Sequence, residues 1–285
     1  MSYPVDRPAV WFVTGASRGL GLALVRHLLA SGGRVAATSR SAERLRTSLS
    51  DLDSDRLLAL EVDLVDQDAV AHAVSQTLEV FGHLDVVVNN AGYGFLGAVE
   101  ETTDADVRAM LDVQVNGTWN VLRAVLPAMR AERSGHILNI SSILGLLAFP
   151  GWGLYCAGKF ALEGMSEALA AEVADFGIRV TIVEPGYFDT DFLTSRSLQQ
   201  AEHPIDAYPA IRDMIATHQA MPGTQLGDPA RAAAAIQTIA ERGDGPLRQQ
   251  LGTDSSGFAR DRAASLAAEI EIARELAVTT DYVRS

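Results

Sequence analysis

Short apolar runs alternate along this chain with longer stretches in which apolar residues recur every three or four positions. The run AVWFVTG (9–15) ends on glycine and suits a buried parallel strand. Similar runs follow at 34–40, 57–64, 84–92, 136–142, 178–186 and 246–252. Between them the period changes to that of a helix. LGLALVRHLLASG follows the first run, SAERLRTSL opens on Ser41 as an N-cap, and DQDAVAHAVSQTLEVFG follows the third run. Longer helical stretches are read at 102–135, 152–176, 228–243 and 255–278.

Repeated strand–helix units with apolar strands predict an α/β fold. The expectation is a doubly wound, Rossmann-type parallel sheet of about seven strands, with helices on both faces. No Gly/Ser- or Pro-rich linker interrupts the alternation, so 1–285 is read as one domain. Only 187–227 breaks the rhythm, with Pro204, Pro209 and Pro222 among scattered apolar residues; it is read as a lid over a substrate site. The stretch 255–278 is expected to be a C-terminal amphipathic helix.

Composition narrows the function. A net charge of −13 disfavours nucleic acid and anionic membranes as partners. One cysteine, Cys156, permits neither an intramolecular disulfide nor a cysteine-built metal site, and the six histidines show no ligand spacing, so no metal is expected. No leader pattern opens the chain and no apolar run approaches the ~20 residues of a membrane span, which predicts a cytoplasmic protein. In so acidic a chain, an anionic cofactor needs cations placed locally.

The first strand runs into TGASRGLG (14–21), where Gly15, Gly19 and Gly21 permit a tight turn, close approach of a pyrophosphate and close helix packing. Free N–H groups of the loop and helix start, at Ser17, Arg18 and Leu20, would face that anion. About 20 residues on, where an NAD site wants a carboxylate for the ribose 2′-hydroxyl, the chain has Ser39-Arg40. A guanidinium there, with Arg18 in the adjacent loop, suits the 2′-phosphate of NADP(H) over NAD(H).

Tyr155 and Lys159 stand four apart on an expected helix and so share a face. An unperturbed tyrosine titrates near ~10 and is a poor base at neutral pH; a nearby ammonium would lower that value. With TGASRGLG, Asp63-Leu64, NNAG (89–92), Asn116, Ser142 and Pro185-Gly186 with Thr190, these residues make the sequence resemble the short-chain dehydrogenase/reductase family, in its short single-domain branch. Among its members the chain is most similar to steroid- or retinol-dehydrogenase-like proteins.

The resemblance implies an oxidoreductase moving a hydride between the nicotinamide and a carbonyl or alcohol. It makes Tyr155 the acid/base, Ser142 the hydrogen-bond donor to the substrate oxygen, and Lys159 the ribose ligand that lowers the pKa of Tyr155. Asn116 would hold a water that links Lys159 to solvent. Asp63 and Leu64 would meet the adenine, and Asn89, Ala91 and Gly92 would pass beneath the adenosine ribose, with Asn89 also steadying the central strands. Ile140, Lys159 and Thr190 would frame the nicotinamide end, and Pro185 and Gly186 would also belong to the cofactor site. The competing reading is a silent NADP-binding regulator, but such proteins generally lose the tyrosine or the lysine, and this chain has both.

The substrate wall is expected from Tyr93, Phe95, Leu96, Ile143, Leu144, Phe149, Trp152, Tyr187, Phe188, Phe192, Leu193, Tyr208, Ile211, Met214 and Ile215, which predicts a hydrophobic small-molecule carbonyl or alcohol. A homodimer or homotetramer is expected, paired through the long helices, with Ala161, Leu162, Met165, Leu169 and Val173 as the seam.

Overall fold

The computed structural model describes residues 3, 7–52 and 55–282; the ends of the expected 1–285 unit and positions 53–54 lie outside the described residues. Strands β1 (Val10–Val13), β2 (Arg34–Ser39), β3 (Leu57–Glu61) and β4 (Val86–Asn89) alternate with helices α1 (Gly19–Ala30), α2 (Ala42–Ser48) and α3 (Gln67–Phe81). A short strand β5 (Gly94–Leu96) leads into α4 (Asp104–Leu111), a π-helical turn over Asp112–Asn116, and α5 (Gly117–Glu132). Then come β6 (Gly135–Ile140), α6 (Gly153–Val173), β7 (Ile178–Pro185), β8 (Leu198–Gln200), α7 (Pro209–Gln219), α8 (Pro229–Arg242), β9 (Arg248–Leu251) and α9 (Thr253–Ala277).

The apolar runs predict a parallel sheet of about seven strands, and seven form one, in the order β3-β2-β1-β4-β6-β7-β9. Successive residues of β1 point to opposite faces and feed two separate cores. Trp11 and Val13 pack with Leu24, Leu28 and Ile236 beneath α1 and α8. Val10 and Phe12 pack with Val70, Val121, Val125 and Leu169 beneath α3, α5 and α6. The direction of winding reverses between β1 and β4, which opens a crevice at the carboxyl ends of the strands.

Three features depart from the sequence reading. The expected helix at 102–135 is broken by the π turn, while Pro127 is accommodated inside α5. The expected lid holds α7 and also β8, which pairs in parallel with β5 as a second, two-stranded sheet. Three-residue strands carry too little periodicity to stand out. The third departure concerns the proposed subunit seam. Leu162, Leu169 and Val173 are buried in this chain's own core, because that face of α6 lies on the sheet. The outward face of α6 carries Phe160, Gly164 and Ala168, and α5 separately exposes Trp119. Among the described residues, no helix is long and apolar enough to cross a membrane, and no cluster of His, Cys, Asp or Glu has a metal-binding arrangement.

Candidate active site

The loops after β1, β2, β3, β4, β6 and β7 converge on a single cleft of about 850 Å³. Gly15, Ser17, Arg18, Gly19, Leu20, Ser39, Arg40, Asp63, Leu64, Ala91, Gly92, Pro185, Gly186 and Thr190 all line it, as do Ser142, Tyr155 and Lys159. Residues from 176 positions of sequence (15 to 190) thus meet at one crevice.

The glycine loop is tight for a structural reason. Gly15 has φ +66°, and a Cβ there would lie 2.7 Å from Ala91 Cα. Gly21 does not reach the cleft; a side chain on it would strike Asn90 Nδ2 and Gly15 O at 2.5 Å. Asn90 ties the loop to β4 by donating to Thr14 O (2.9 Å) and Gly15 O (3.2 Å). Helix α1 has no acidic residue in its first turn and no side-chain cap on its opening N–H groups. Its N-terminus is therefore suited to a pyrophosphate, and the close fit of the loop leaves backbone rather than side chains facing the cleft.

Three guanidiniums gather beside it. Arg18, Arg40 and Arg44 line the same end of the cleft, and none forms an ion pair with a carboxylate among the described residues. Burial lowers the pKa of Arg18, and the charges of Arg40 and Arg44 lower it further. Ser39 accepts from the Ser41 N–H, and the nearest strand carboxylate, Glu61, is turned to the Ala42 N–H, 3.2 Å away. Arg44, one turn into α2, was not anticipated; its only signal in the sequence was its place just behind Ser39-Arg40. Arg196 also lines the cleft, and is paired with Asp191 at 3.3 Å.

Asn89 lies under the cleft rather than in its wall. Its Nδ2 donates to Asn139 Oδ1 (2.8 Å), and Asn139 donates to Ser166 Oγ (2.7 Å), which fastens β4, β6 and α6 together. That is the strand-steadying role the sequence suggests; Asn90, Ala91 and Gly92 form the wall itself.

At the inner end, Tyr155 is buried beside Ser142, whose hydroxyl favours the ionised phenol. Burial pushes the phenol pKa well above 10, and the Ser142 contact opposes that only in part. Lys159 Nζ donates to Ile140 O at 2.9 Å and stands 5.6 Å from the Tyr155 ring centroid. It lies over the ring and is held by a carbonyl. Lowering of the phenol pKa by this ammonium is therefore not seen here; burial dominates. Burial also brings Lys159 down to about 8, with Glu163 partly offsetting it.

Asn116 is not brought to this site. It is exposed, and its Nδ2 donates to Asp112 Oδ1 at 2.8 Å. The π turn inserts an extra residue and rotates the chain, so Gln114 faces inward instead. Gln114 is buried, donates to Tyr93 O at 2.9 Å, and lies so close that a Cβ on Gly92 would be 3.7 Å from its Cγ and 3.8 Å from Lys159 Nζ. Gly117 permits the turn, since a Cβ there would meet Leu64 at 3.0 Å. We expect Gln114→Ala to lower kcat about tenfold, the worth of one buried hydrogen bond, while Asn116→Ala leaves kcat near wild type. Steady-state rates of the two variants decide between them.

The substrate end is apolar, as expected, though with a shorter wall. Tyr93, Ile143, Leu144, Phe149, Trp152, Tyr187, Phe188, Phe192 and Leu193 line it. Phe95 instead packs on Met110 and Leu154. Leu96, Tyr208, Ile211, Met214 and Ile215 bind the lid to the core around Trp152, where Phe258 of α9 also stacks on Phe149. Alternating burial alone cannot separate a wall from the layer behind it.

Residues 9–201 match the short chain dehydrogenase family. The chain belongs to the short-chain dehydrogenase/reductase family. The family member is 35% identical over 272 residues to oxidoreductase BOA17 of Botryotinia fuckeliana, covering 95% of this chain and 98% of that one. It is 36% identical over 251 residues to a 3-ketodihydrosphingosine reductase of Bacteroides thetaiotaomicron, covering 86% and 88%. A short-chain dehydrogenase structure from Streptomyces avermitilis superposes with a TM-score of 0.88 at 38% identity, over 97% of this chain and 100% of that chain. This short-chain dehydrogenase/reductase is an oxidoreductase acting on CH–OH or C=O groups, with a cleft shaped for a nicotinamide cofactor.

Proposed function

We propose that this protein is an NADPH-dependent reductase of apolar ketones or aldehydes, reversible toward the alcohol. The observation that carries the cofactor preference is the group of Arg18, Arg40 and Arg44 at a cleft end where the second strand offers Ser39-Arg40 in place of a carboxylate for the ribose 2′-hydroxyl. Three like charges brought together in a chain of net charge −13 repel one another unless an anion lies among them. A 2′-phosphate is such an anion, and planar guanidiniums suit its oxygens.

The bound cofactor supplies the hydride. The chain's own residues do the rest. Tyr155, protonated in its buried setting, is the proton donor at its hydroxyl to the substrate oxygen. Ser142 holds that oxygen by a second hydrogen bond. Lys159 offers its ammonium toward the ribose side, with Gln114 packed behind it. Tyr187, Phe192 and Leu193 exclude water from the reacting end.

The relative from Bacteroides thetaiotaomicron, a 3-ketodihydrosphingosine reductase, supports the reading as a reductase of a keto group. The outward face of α6 around Phe160 and Gly164, with Trp119, is the surface on which we place a second copy of the chain. The test is to titrate NADPH and NADH by nicotinamide fluorescence and to follow NADPH oxidation against a panel of ketones graded in chain length. Tighter NADPH binding and a rate that rises with apolar length are expected. Equal binding of the two cofactors, or preference for small charged substrates, would overturn the reading.

A further inference from the structure

Behind Lys159 lies a buried ionic cluster that the reaction as described leaves unused. Glu163 is one turn beyond Lys159 on α6, and Glu184 lies on β7; their side chains are 6% and 0% exposed. Arg248 on β9 is the cation that reaches both, with Nε 3.0 Å from Glu163 Oε2 and 3.7 Å from Glu184 Oε1. Its Nη2 is shared with the exposed Glu167, also at 3.0 Å. Gln250 donates to Glu184 Oε2 at 2.7 Å. The two buried carboxylates share one guanidinium with Glu167, and the other nearby cation, Lys159, is held by Ile140 O; so short a supply of positive charge in a dry interior favours retaining a proton.

There is room for that proton. Glu163 Oε1 and Glu184 Oε1 have no hydrogen-bond partner, and neither has Ser141 Oγ. Ser141 Oγ and Glu163 Oε1 meet over Gly145, where a Cβ would lie 2.6 Å from one and 2.9 Å from the other. The end of β6 therefore touches the cluster and the reacting centre at consecutive residues. Ile140 O holds Lys159, Ser141 abuts Glu163, and Ser142 holds Tyr155.

We infer that Glu163 and Glu184, bridged by Arg248, form a buried acid pair that together retains one proton, and that the charge of this pair sets the charge of Lys159. This rests on the reading of Lys159 as part of the active site. Every charged or titratable group facing the pair is accounted for: Lys159 and Glu167 from α6, Arg248 from β9, with the neutral Ser141 after β6, Gln250 on β9, and Ser255 of α9, which binds Glu184 O. Burial raises both carboxyls, Glu184 to about 7.

The consequence has a definite sign. While the pair keeps its proton, its one remaining negative charge is balanced by Arg248. Once pH rises and the proton leaves, Lys159 gains an anion one turn away, which holds its own proton to higher pH. Glu163 is thus a positioning residue: it keeps the ammonium charged across a wider pH range than burial alone would permit.

The experiment has two readings. Infrared difference spectra of the ligand-free protein, stepped across neutral pH, should lose a protonated-carboxyl band in the wild type. Glu163→Gln and Glu184→Gln should each abolish it, because the pair titrates as one unit. NADPH binding by fluorescence should weaken at alkaline pH, and Glu163→Gln should move that limb about one pH unit toward acid, tenfold in proton affinity, with Glu163→Asp restoring most of it. No band in the wild type, or a band that persists in both variants, overturns the acid pair. Loss of the band with an unshifted alkaline limb overturns the link to Lys159. The infrared reading needs neither cofactor nor substrate, so it fails or succeeds independently of the proposed reaction, and the wild-type spectrum stands even if a variant does not fold.

Discussion

Tyr155→Phe should reduce turnover by roughly a hundredfold to ten-thousandfold, the range for loss of a positioned acid/base, while the protein still folds and binds cofactor. The substitution removes one oxygen from a side chain packed between Trp152 and Phe192, whose rings lie 5.5 Å and 5.7 Å from its own. The aromatic packing survives. What is lost is a buried phenol hydroxyl that lines the cleft beside Ser142 and Lys159. Steady-state rates with an active ketone, set beside thermal melting and fluorescence titration of NADPH, separate the outcomes. A rate within about tenfold of wild type would remove Tyr155 from its role, since that is smaller than the effect of a general acid.

Reversal of cofactor preference is the second large effect. Ser39→Asp with Arg40→Leu places an anion where the 2′-phosphate would lie and removes one of its cations. Each charge-assisted hydrogen bond contributes about 1.5–3 kcal/mol, tenfold to a hundredfold in affinity. The pair of changes should therefore weaken NADPH by about a hundredfold or more and improve NADH. Arg40→Leu alone should do less than its single contact suggests, because Arg18 and Arg44 remain. Added salt should mimic part of the loss in the wild type. Parallel titrations of NADPH and NADH are the measurement, and equal weakening of both cofactors by Arg40→Leu would make that arginine a surface residue.

Much of this was legible in the residues, and the exceptions have physical causes. Strands buried on both faces read as continuous apolar runs, so β1, β4 and β6 stand out, and their carboxyl ends carry the glycine loop, Asn90 to Gly92, and Ser142. Tyr155 and Lys159 were found because helical spacing reports a shared face. Asn116 was misplaced for the converse reason: spacing assumes a regular helix, and one π turn substitutes Gln114. Arg44 and the Glu163–Glu184 pair were missed because the first resembles any exposed helical arginine and the second depends on a contact with Arg248 from a strand more than sixty residues away. The lid wall was overdrawn because apolar residues on α7 face the core as readily as a ligand.

One side chain fastens part of the segment 187–227 more firmly than the rest. Glu101, buried at the end of the turn after β5, accepts from the Ala98 N–H and the Ile205 N–H, both at 2.7 Å, and is clasped by Arg212 of α7. Lifting α7 would strand that carboxylate without its partners, a cost of several kcal/mol. His218, bonded to the Tyr187 hydroxyl at 2.9 Å and resting on Trp152, adds a second fastening. The stretch 191–196 has nothing comparable: a single turn, closed by Thr190 and Thr194, and one exposed pair between Arg196 and Asp191. Leu193 alone anchors it in the core. Because 191–196 flanks Arg18 as well as Phe192, its amide hydrogens should exchange before those of α7 and should be slowed by a ligand at either end of the cleft.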